Sequence, residues 1–323
     1  MTDVLSDSNV DGIIILSFGY NFCVCVCKHG VFSWGWNCYG QLGLGDLDNR
    51  NFVSKILFFQ NPEEILSVSC GTDFCICVCK NGIFSWGDNN YGQLGIGNNY
   101  NQSSPQQILF FKNPEEIISV SCGYGFCVCV CKNGIFSWGN NLCGQLGIGN
   151  EIHQSSPQQI LFFENPEEII SFSCGSYFCV CVCKNGVFSW GQNCYGQLGI
   201  GNENQVDQSF PQQINFFQNP NDIISFSCSV NSCTCICDNE IFIWGRNEYE
   251  RFSFDFYSPH QIFLTDNISS FSNLSFPQYS TYYSRYTKKL LFILAREYLD
   301  SDQHLLGKYY LPLDMFKILI KFI

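Results

Sequence analysis

Five tryptophans, Trp34, Trp86, Trp138, Trp190 and Trp244, recur at intervals of 52, 52, 52 and 54 residues. A recurrence that strict constrains the fold more than any propensity can, because each copy must take the same local structure and pack on its neighbours. Each of these tryptophans closes a copy of one phrase. It reads FCVCVCKNGIFSWG at Phe126–Gly139, with near-copies at Phe22–Gly35, Phe74–Gly87 and Phe178–Gly191 and a degraded copy at Ser232–Gly245. The phrase predicts a hairpin, two apolar strands about an Asn133-Gly134 turn whose central residues both need positive φ. Around it a full unit runs IISVSCG (Ile117–Gly123), the hairpin, NNLCGQLGIGN (Asn140–Asn150), SSPQQILFF (Ser155–Phe163) and NPEE (Asn165–Glu168). Gly, Asn and Pro punctuate about four short β segments per unit, the content of one propeller blade.

Ordinary two-residue hairpin register then sets Cys131 opposite Phe136, Val130 opposite Ser137 and Cys129 opposite Trp138. One face carries Cys127, Cys129, Cys131, Phe136 and Trp138; the other carries Phe126, Val128, Val130, Ile135 and Ser137. Neither face is polar, so both must be covered, as between neighbouring propeller blades and unlike an antiparallel sheet with one wet face. The expected class is all-β, a β-propeller of four-stranded blades. In the fifth unit the turn becomes Asn239-Glu240 and GQLG gives way to Glu250-Arg251-Phe252. A degenerate sixth unit is traced through SPHQI (Ser258–Ile262), which matches SPQQI, and Lys288–Ala295 in place of KNGIFSWG, with Leu294 for tryptophan. The expected organisation is a polar lead-in over 1–12, repeats over 13–298, and a short C-terminal helix within 299–323. That helix follows from the spacing of Leu313, Phe316, Ile320 and Ile323 after Pro312.

SCG followed by CKNGIFSWG and NxYGQLGIGN resembles the repeat of the regulator of chromosome condensation family, over roughly residues 10–250 with a faint continuation to about 295. The resemblance implies a propeller, with seven blades in the founding member, an exchange factor for a nuclear GTPase. Five clear units and one degenerate one argue against closure as a seven-bladed ring, because seven at this period exceed the 323 residues present. The chain departs from the family pattern in three ways. A family histidine is replaced by Phe22, Phe74, Phe126, Phe178 and Ser232; cysteines stand where small Ser, Ala or Thr are usual; and the regular spacing leaves no room for the founding member's β-hairpin wedge. Its basic N-terminal arm has no counterpart here either. Fold is carried over, and exchange activity stands as an alternative.

Net charge is −12. Such a surface repels nucleic-acid phosphate and anionic lipid and favours a basic protein partner. MTDVLSDSNVDG has no positive or apolar region of a signal peptide, and no apolar run approaches the ~20 residues of a membrane helix. The expectation is a monomer of the cytoplasm or nucleus, binding neither nucleic acid nor membrane, whose 22 cysteines stay reduced.

The C-x-C-x-C runs, such as Cys75, Cys77 and Cys79, suggest metal at first. On a strand, alternate Cβ atoms lie roughly 6.5–7 Å apart, too far for a disulfide, and no second zinc-ligand cluster accompanies them. His29, His153, His260 and His304 are scattered. The triples are expected to be core, with the thiol acting as a small hydrophobe. The SCG cysteines, Cys70, Cys122, Cys174 and Cys228, would ring a channel too wide to close a site with Zn–S bonds of about 2.3 Å. GQLGIGN lacks the GK[ST] of a phosphate loop, and neither G-x-S-x-G nor H-E-x-x-H occurs, so no cofactor, metal or enzyme activity is expected.

Two candidate surfaces remain. The NPEE turns carry Glu63-Glu64, Glu115-Glu116 and Glu167-Glu168, which recur once per blade and therefore line a rim rather than converge; a basic partner would meet them there. The tail, with Leu311, Pro312, Leu313, Phe316 and Ile320, resembles the opening of an F-box, which implies a ubiquitin-ligase adaptor contact. A non-catalytic interaction scaffold is the leading expectation. The alternatives are nucleotide exchange on a small GTPase and substrate adaptation for a ubiquitin ligase.

Overall fold

The computed structural model describes residues 13–201, 205–237, 240–246 and 255–262. They form five four-stranded antiparallel sheets, each a meander in chain order. In the third blade the strands are Ile117–Cys122, Phe126–Cys131, Gly134–Gly139 and Gln154–Gln159. The first strands of successive blades lie against one another: the Cys122 N–H donates to Ser69 Oγ at 3.1 Å and the Cys70 N–H to Ser17 Oγ at 3.0 Å. These are therefore the innermost strands, and the serines Ser17, Ser69, Ser121 and Ser173 each tie their blade to the next.

The two apolar faces stack in one sense around the arc. Phe74, Ile76, Val78 and Ile83 of the second blade pack on Cys127, Cys129, Cys131 and Trp138 of the third. The same Val/Ile-against-Cys/Trp contact joins blades one and two, three and four, and four and five. Trp86, Trp138 and Trp190 have no exposed surface, and Trp244 has 1%. In blades two to four both faces of the hairpin are covered, as its pattern demands.

The hairpin register differs from the expected one by two residues. Cys131 pairs with Gly134, Val130 with Ile135, Cys129 with Phe136 and Cys127 with Trp138. The loop is Lys132-Asn133, and the third strand begins at Gly134. Positive φ falls on that glycine and its equivalents, Gly30, Gly82 and Gly186, whereas the only positive-φ residues besides glycine among those described are Asn21 and Gln205. The residue without a Cβ takes the unusual conformation, so the asparagine has no need to. Because the slip is even, every side chain keeps its expected face.

SPHQI belongs to the fifth blade, which corrects its assignment to a sixth unit: Asp255–Ile262 pairs along Glu240–Arg246 as the fourth strand. Lys288–Ala295 and the predicted C-terminal helix lie outside the described residues.

Buried polar groups organise the long loop after each third strand. Ser137 Oγ donates to the Leu146 carbonyl at 2.7 Å, and Asn141 Oδ1 accepts from the Leu146 N–H at 2.9 Å. Asn141 Nδ2 donates to the Asn150 carbonyl at 2.7 Å, closing the loop at its far end. Ser85 with Asn89 repeats the arrangement in the second blade, which is why the motif keeps Ser and Asn at fixed offsets.

Candidate protein-binding rims

A meander sends its connections alternately to two ends, so each blade contributes to two rims. One rim carries the hairpin turns and the short 3-10 turns; the other carries the loops between first and second strands and the long loops between third and fourth.

The predicted glutamates occupy the first rim. They sit in Pro62–Glu64, Pro114–Glu116 and Pro166–Glu168, one turn per blade. Glu63, Glu115 and Glu167 are exposed, while Glu64, Glu116 and Glu168 are half-buried. Asn61 Nδ2 donates to Glu64 Oε1 at 3.2 Å, and Asn113 Nδ2 to Glu116 Oε1 at 3.0 Å. The Lys80 N–H donates to the Glu64 carbonyl and the Lys132 N–H to that of Glu116, so an exposed lysine shares the rim with each pair. The sequence reading missed what stands beside them. Leu57, Leu109 and Leu161 are 73%, 77% and 79% exposed, in the same connections whose next-but-one phenylalanines, Phe59, Phe111 and Phe163, are buried. Leu311, Pro312, Leu313, Phe316 and Ile320 lie outside the described residues.

Most of the cysteines, including the SCG set and the triples of the second to fourth blades, are core. The SCG cysteines do not face a channel: Cys70 pairs with Cys75 across the sheet, and their Sγ atoms lie 2.7 Å apart. Cys122 faces Cys127 in the same way. Burial pushes the thiols of Cys75, Cys77, Cys127 and Cys129 well above the ordinary value. A thiol held protonated is a poor metal ligand and a poor nucleophile. Among the described residues no group of three or more His, Cys, Asp and Glu is placed to hold a metal ion.

The second rim carries a cluster that sequence reasoning did not find. Loop to loop, the Tyr20 N–H donates to the Thr72 carbonyl at 2.7 Å and the Tyr124 N–H to that of Ser176 at 2.8 Å, zipping neighbouring blades together. Within the second blade the Asp88 N–H donates to the Asp73 carbonyl at 2.9 Å, which sets these two residues side by side. Gln41 Nε2 donates to Asp73 Oδ1 at 3.1 Å, and Gln93 Nε2 to Asp88 Oδ2 at 2.7 Å. Asp73 is pushed up to about 6, chiefly by burial and then by the charge of Asp88, with the Gln41 hydrogen bond opposing. Asp88 is raised by burial, opposed by the N–H groups of Asn90 and Asn89 and the Gln93 amide. Cys38, Asp73, Asp88 and Tyr124, in falling order among its charged neighbours, raise Tyr39 as well. Aromatic groups share this rim. Tyr39 and Tyr124 are each 39% exposed, the Tyr124 and Tyr177 rings lie 4.9 Å apart, and Tyr20 meets Trp36 edge-on at 6.2 Å. A signal was available: Asp73 and Asp88 stand where other copies have Asn21, Gly125, Tyr177 and Asn231, and Trp36, Asn140, Gln192 and Arg246. These are the unlike positions inside an otherwise repeated phrase.

Five stacked antiparallel blades with two decorated rims define a β-propeller repeat protein. The chain belongs to the RCC1-like domain family, whose model matches residues 2–278. It is 35% identical over 187 residues to the ultraviolet-B receptor UVR8 of Arabidopsis thaliana, covering 57% of this chain and 41% of the receptor. It is 28% identical over 236 residues to the X-linked retinitis pigmentosa GTPase regulator of Mus musculus, covering 56% of this chain and 23% of that protein. The crystal structure of Prp20p from Saccharomyces cerevisiae is similar at a TM-score of 0.64 and 19% identity, over 79% of this chain and 64% of that one. The match thus spans less than half of either curated relative.

Proposed function

We propose that this propeller is a non-catalytic protein-interaction scaffold. The observation that carries this reading is the row of Leu57, Leu109 and Leu161, more than 70% exposed on a frame whose core positions are fully buried. Repeated leucines this exposed, beside exposed glutamates, suit a partner that offers apolar and basic groups together. Structural work on Prp20p describes its binding to Gsp1p and histones, a precedent for protein partners on this fold. The site of action we propose is the cytoplasm or nucleus, where thiols stay reduced, with the chain acting as a monomer. Proximity labelling with the full chain is the test. A defined set of neighbours, depleted when Leu57, Leu109 and Leu161 are all changed to Ser, is expected; a set no different from that of an unrelated propeller overturns the reading.

A second reading is guanine-nucleotide exchange on a small GTPase. Its support is the likeness to a protein named as a GTPase regulator and the Gsp1p binding of Prp20p. Purified protein should then speed nucleotide release from a GTPase, and no effect across a broad panel removes this reading.

A further inference from the structure

We propose that His153 is a pH-sensitive latch: proton uptake by its ring releases the Asn141 N–H and loosens the long loop of the third blade, on the rim opposite the glutamate turns. The proposal goes beyond the scaffold reading, because it concerns the other rim and a means of control rather than a partner.

The long loop of each of the first four blades closes on itself through one equivalent hydrogen bond. The Asn37 N–H donates to Asn49 Oδ1 at 2.7 Å, the Asn89 N–H to Asn101 Oδ1 at 2.8 Å, and the Asn193 N–H to Asp207 Oδ1 at 2.8 Å. In the third blade the Asn141 N–H donates to His153 Nδ1 at 2.9 Å. Two amides, a carboxylate and an imidazole thus fill the same role.

These acceptors differ in what a proton does to them. A side-chain amide does not titrate near neutrality, and a carboxyl keeps an acceptor oxygen with or without a proton. An imidazole accepts only while neutral, because imidazolium has two N–H donors and no acceptor. Since Nδ1 receives the Asn141 N–H, the neutral ring carries its hydrogen on Nε2. A proton arriving at Nδ1 would set two N–H groups head to head.

The residue that would be released is the hub of its loop. Asn141 has no exposed surface. Its Oδ1 accepts from the Leu146 N–H at 2.9 Å, and its Nδ2 donates to the carbonyls of Asn150 at 2.7 Å and Ile152 at 3.2 Å. A buried N–H that loses its acceptor is costly, and the loop escapes that cost by moving to admit water. Leu142 and Ile152, 59% and 67% exposed, belong to this loop, so its opening rearranges apolar surface on the rim.

The surroundings favour the neutral ring. Burial lowers the imidazole from its ordinary 6.5. Tyr91 of the second blade faces it, with ring centroids 5.1 Å apart at 63°; a tyrosine face attracts a cation and so works weakly against the latch. On its own blade stand the exposed Glu151 and the half-buried Cys143. The folded value lies below the unfolded one, so the closed loop is favoured above pH 6.5 and loses ground as pH falls below it.

Hydrogen exchange of the full chain at pH 7.5 and 5.5 is the test, read by mass spectrometry as protection factors so that the intrinsic pH dependence of exchange cancels. The second-blade loop, 89–101, is the internal control. At pH 5.5 protection over 141–153 should fall at least about threefold relative to that control, as expected for the loss of one modest hydrogen bond. His153→Asn, which installs the acceptor type of the first two blades, should remove this difference. Imidazole NMR titration of the unaltered chain, assigned with the same variant, should place His153 below 6.5. The proposal is overturned if both loops respond alike, if His153→Asn keeps the differential response, or if His153 titrates at or above 6.5.

Discussion

Trp138 Nε1 donates to the Gln93 carbonyl at 2.9 Å, joining the third blade to the loop of the second. Trp86 with Gln41, Trp190 with Gln145 and Trp244 with Gln197 repeat the bond at 2.9 to 3.0 Å. A fully buried indole N–H needs a partner, and here a neighbouring blade provides it, so the polar tip of the largest core side chain doubles as the inter-blade link. The glycines of GQLG make room for it. Gly95 has φ +68, and a Cβ there would lie 2.7 Å from Trp138 Nε1.

Gly95→Ala should therefore cost about 2–4 kcal/mol, combining the left-handed backbone penalty with overpacking against the indole. Urea unfolding of wild type and variant measures it. A change below about 0.5 kcal/mol would show that the indole can shift freely.

The raised carboxyl of Asp73 makes a signed prediction. Its value in the fold, about 6, exceeds the unfolded 3.8, so the folded state binds the proton more tightly. The stabilising contribution is complete below pH 3.8 and is lost as pH rises through about 6. Asp73→Asn removes the charge, so at pH 7.5 it should raise stability by about 1 kcal/mol, a figure discounted for the screening of a half-exposed group, and change little near pH 4. Thermal melts at both pH values decide the matter; a variant less stable at pH 7.5 contradicts this account of the site.

Cys129 is fully buried between blades. Cys129→Ala removes a sulfur for about 1 kcal/mol, whereas Cys129→Ser places a hydroxyl among apolar neighbours for about 1–3 kcal/mol. Denaturation should therefore rank wild type above alanine and alanine above serine. A serine variant as stable as wild type would mean that the thiol acts as a polar group.

Thiol labelling should follow both exposure and protonation. Cys38 is exposed, whereas Cys27, Cys143, Cys194 and Cys237 are half-buried and the other described cysteines, such as Cys75, are buried. Burial, with Asp207 next, pushes Cys143 up to about 12, so it should lag Cys38 despite its partial exposure. Maleimide modification at neutral pH, mapped by mass spectrometry, should find Cys38 first. Rapid reaction at Cys75 or Cys127 would contradict the packed interface.

Much of the architecture was legible because it is local and repeated. The alternation of FCVCVC needs only the pleat to assign its two faces, and those faces survived a two-residue error in register because the slip was even. The turn was misread for an equally local reason: Asn-Gly suggests a pair of positive-φ residues, but only the glycine takes one. SPHQI was placed one blade too late because strand partnership, which depends on contact across the sheet, is invisible in a repeat whose other motifs have decayed.

The sequence by itself determined the blade: its length, its four strands, its two apolar faces and its buried thiols, all of which follow from periodicity within 52 residues. Only the tertiary structure decided which side chains share a rim. Tyr39, Asp73, Asp88 and Tyr124 come from three blades, and the stacking of each Val/Ile face on the next Cys/Trp face brings their loops to one rim. No pattern along the chain encodes that meeting, because side chains on separate repeats become neighbours only through the geometry by which the repeats pack.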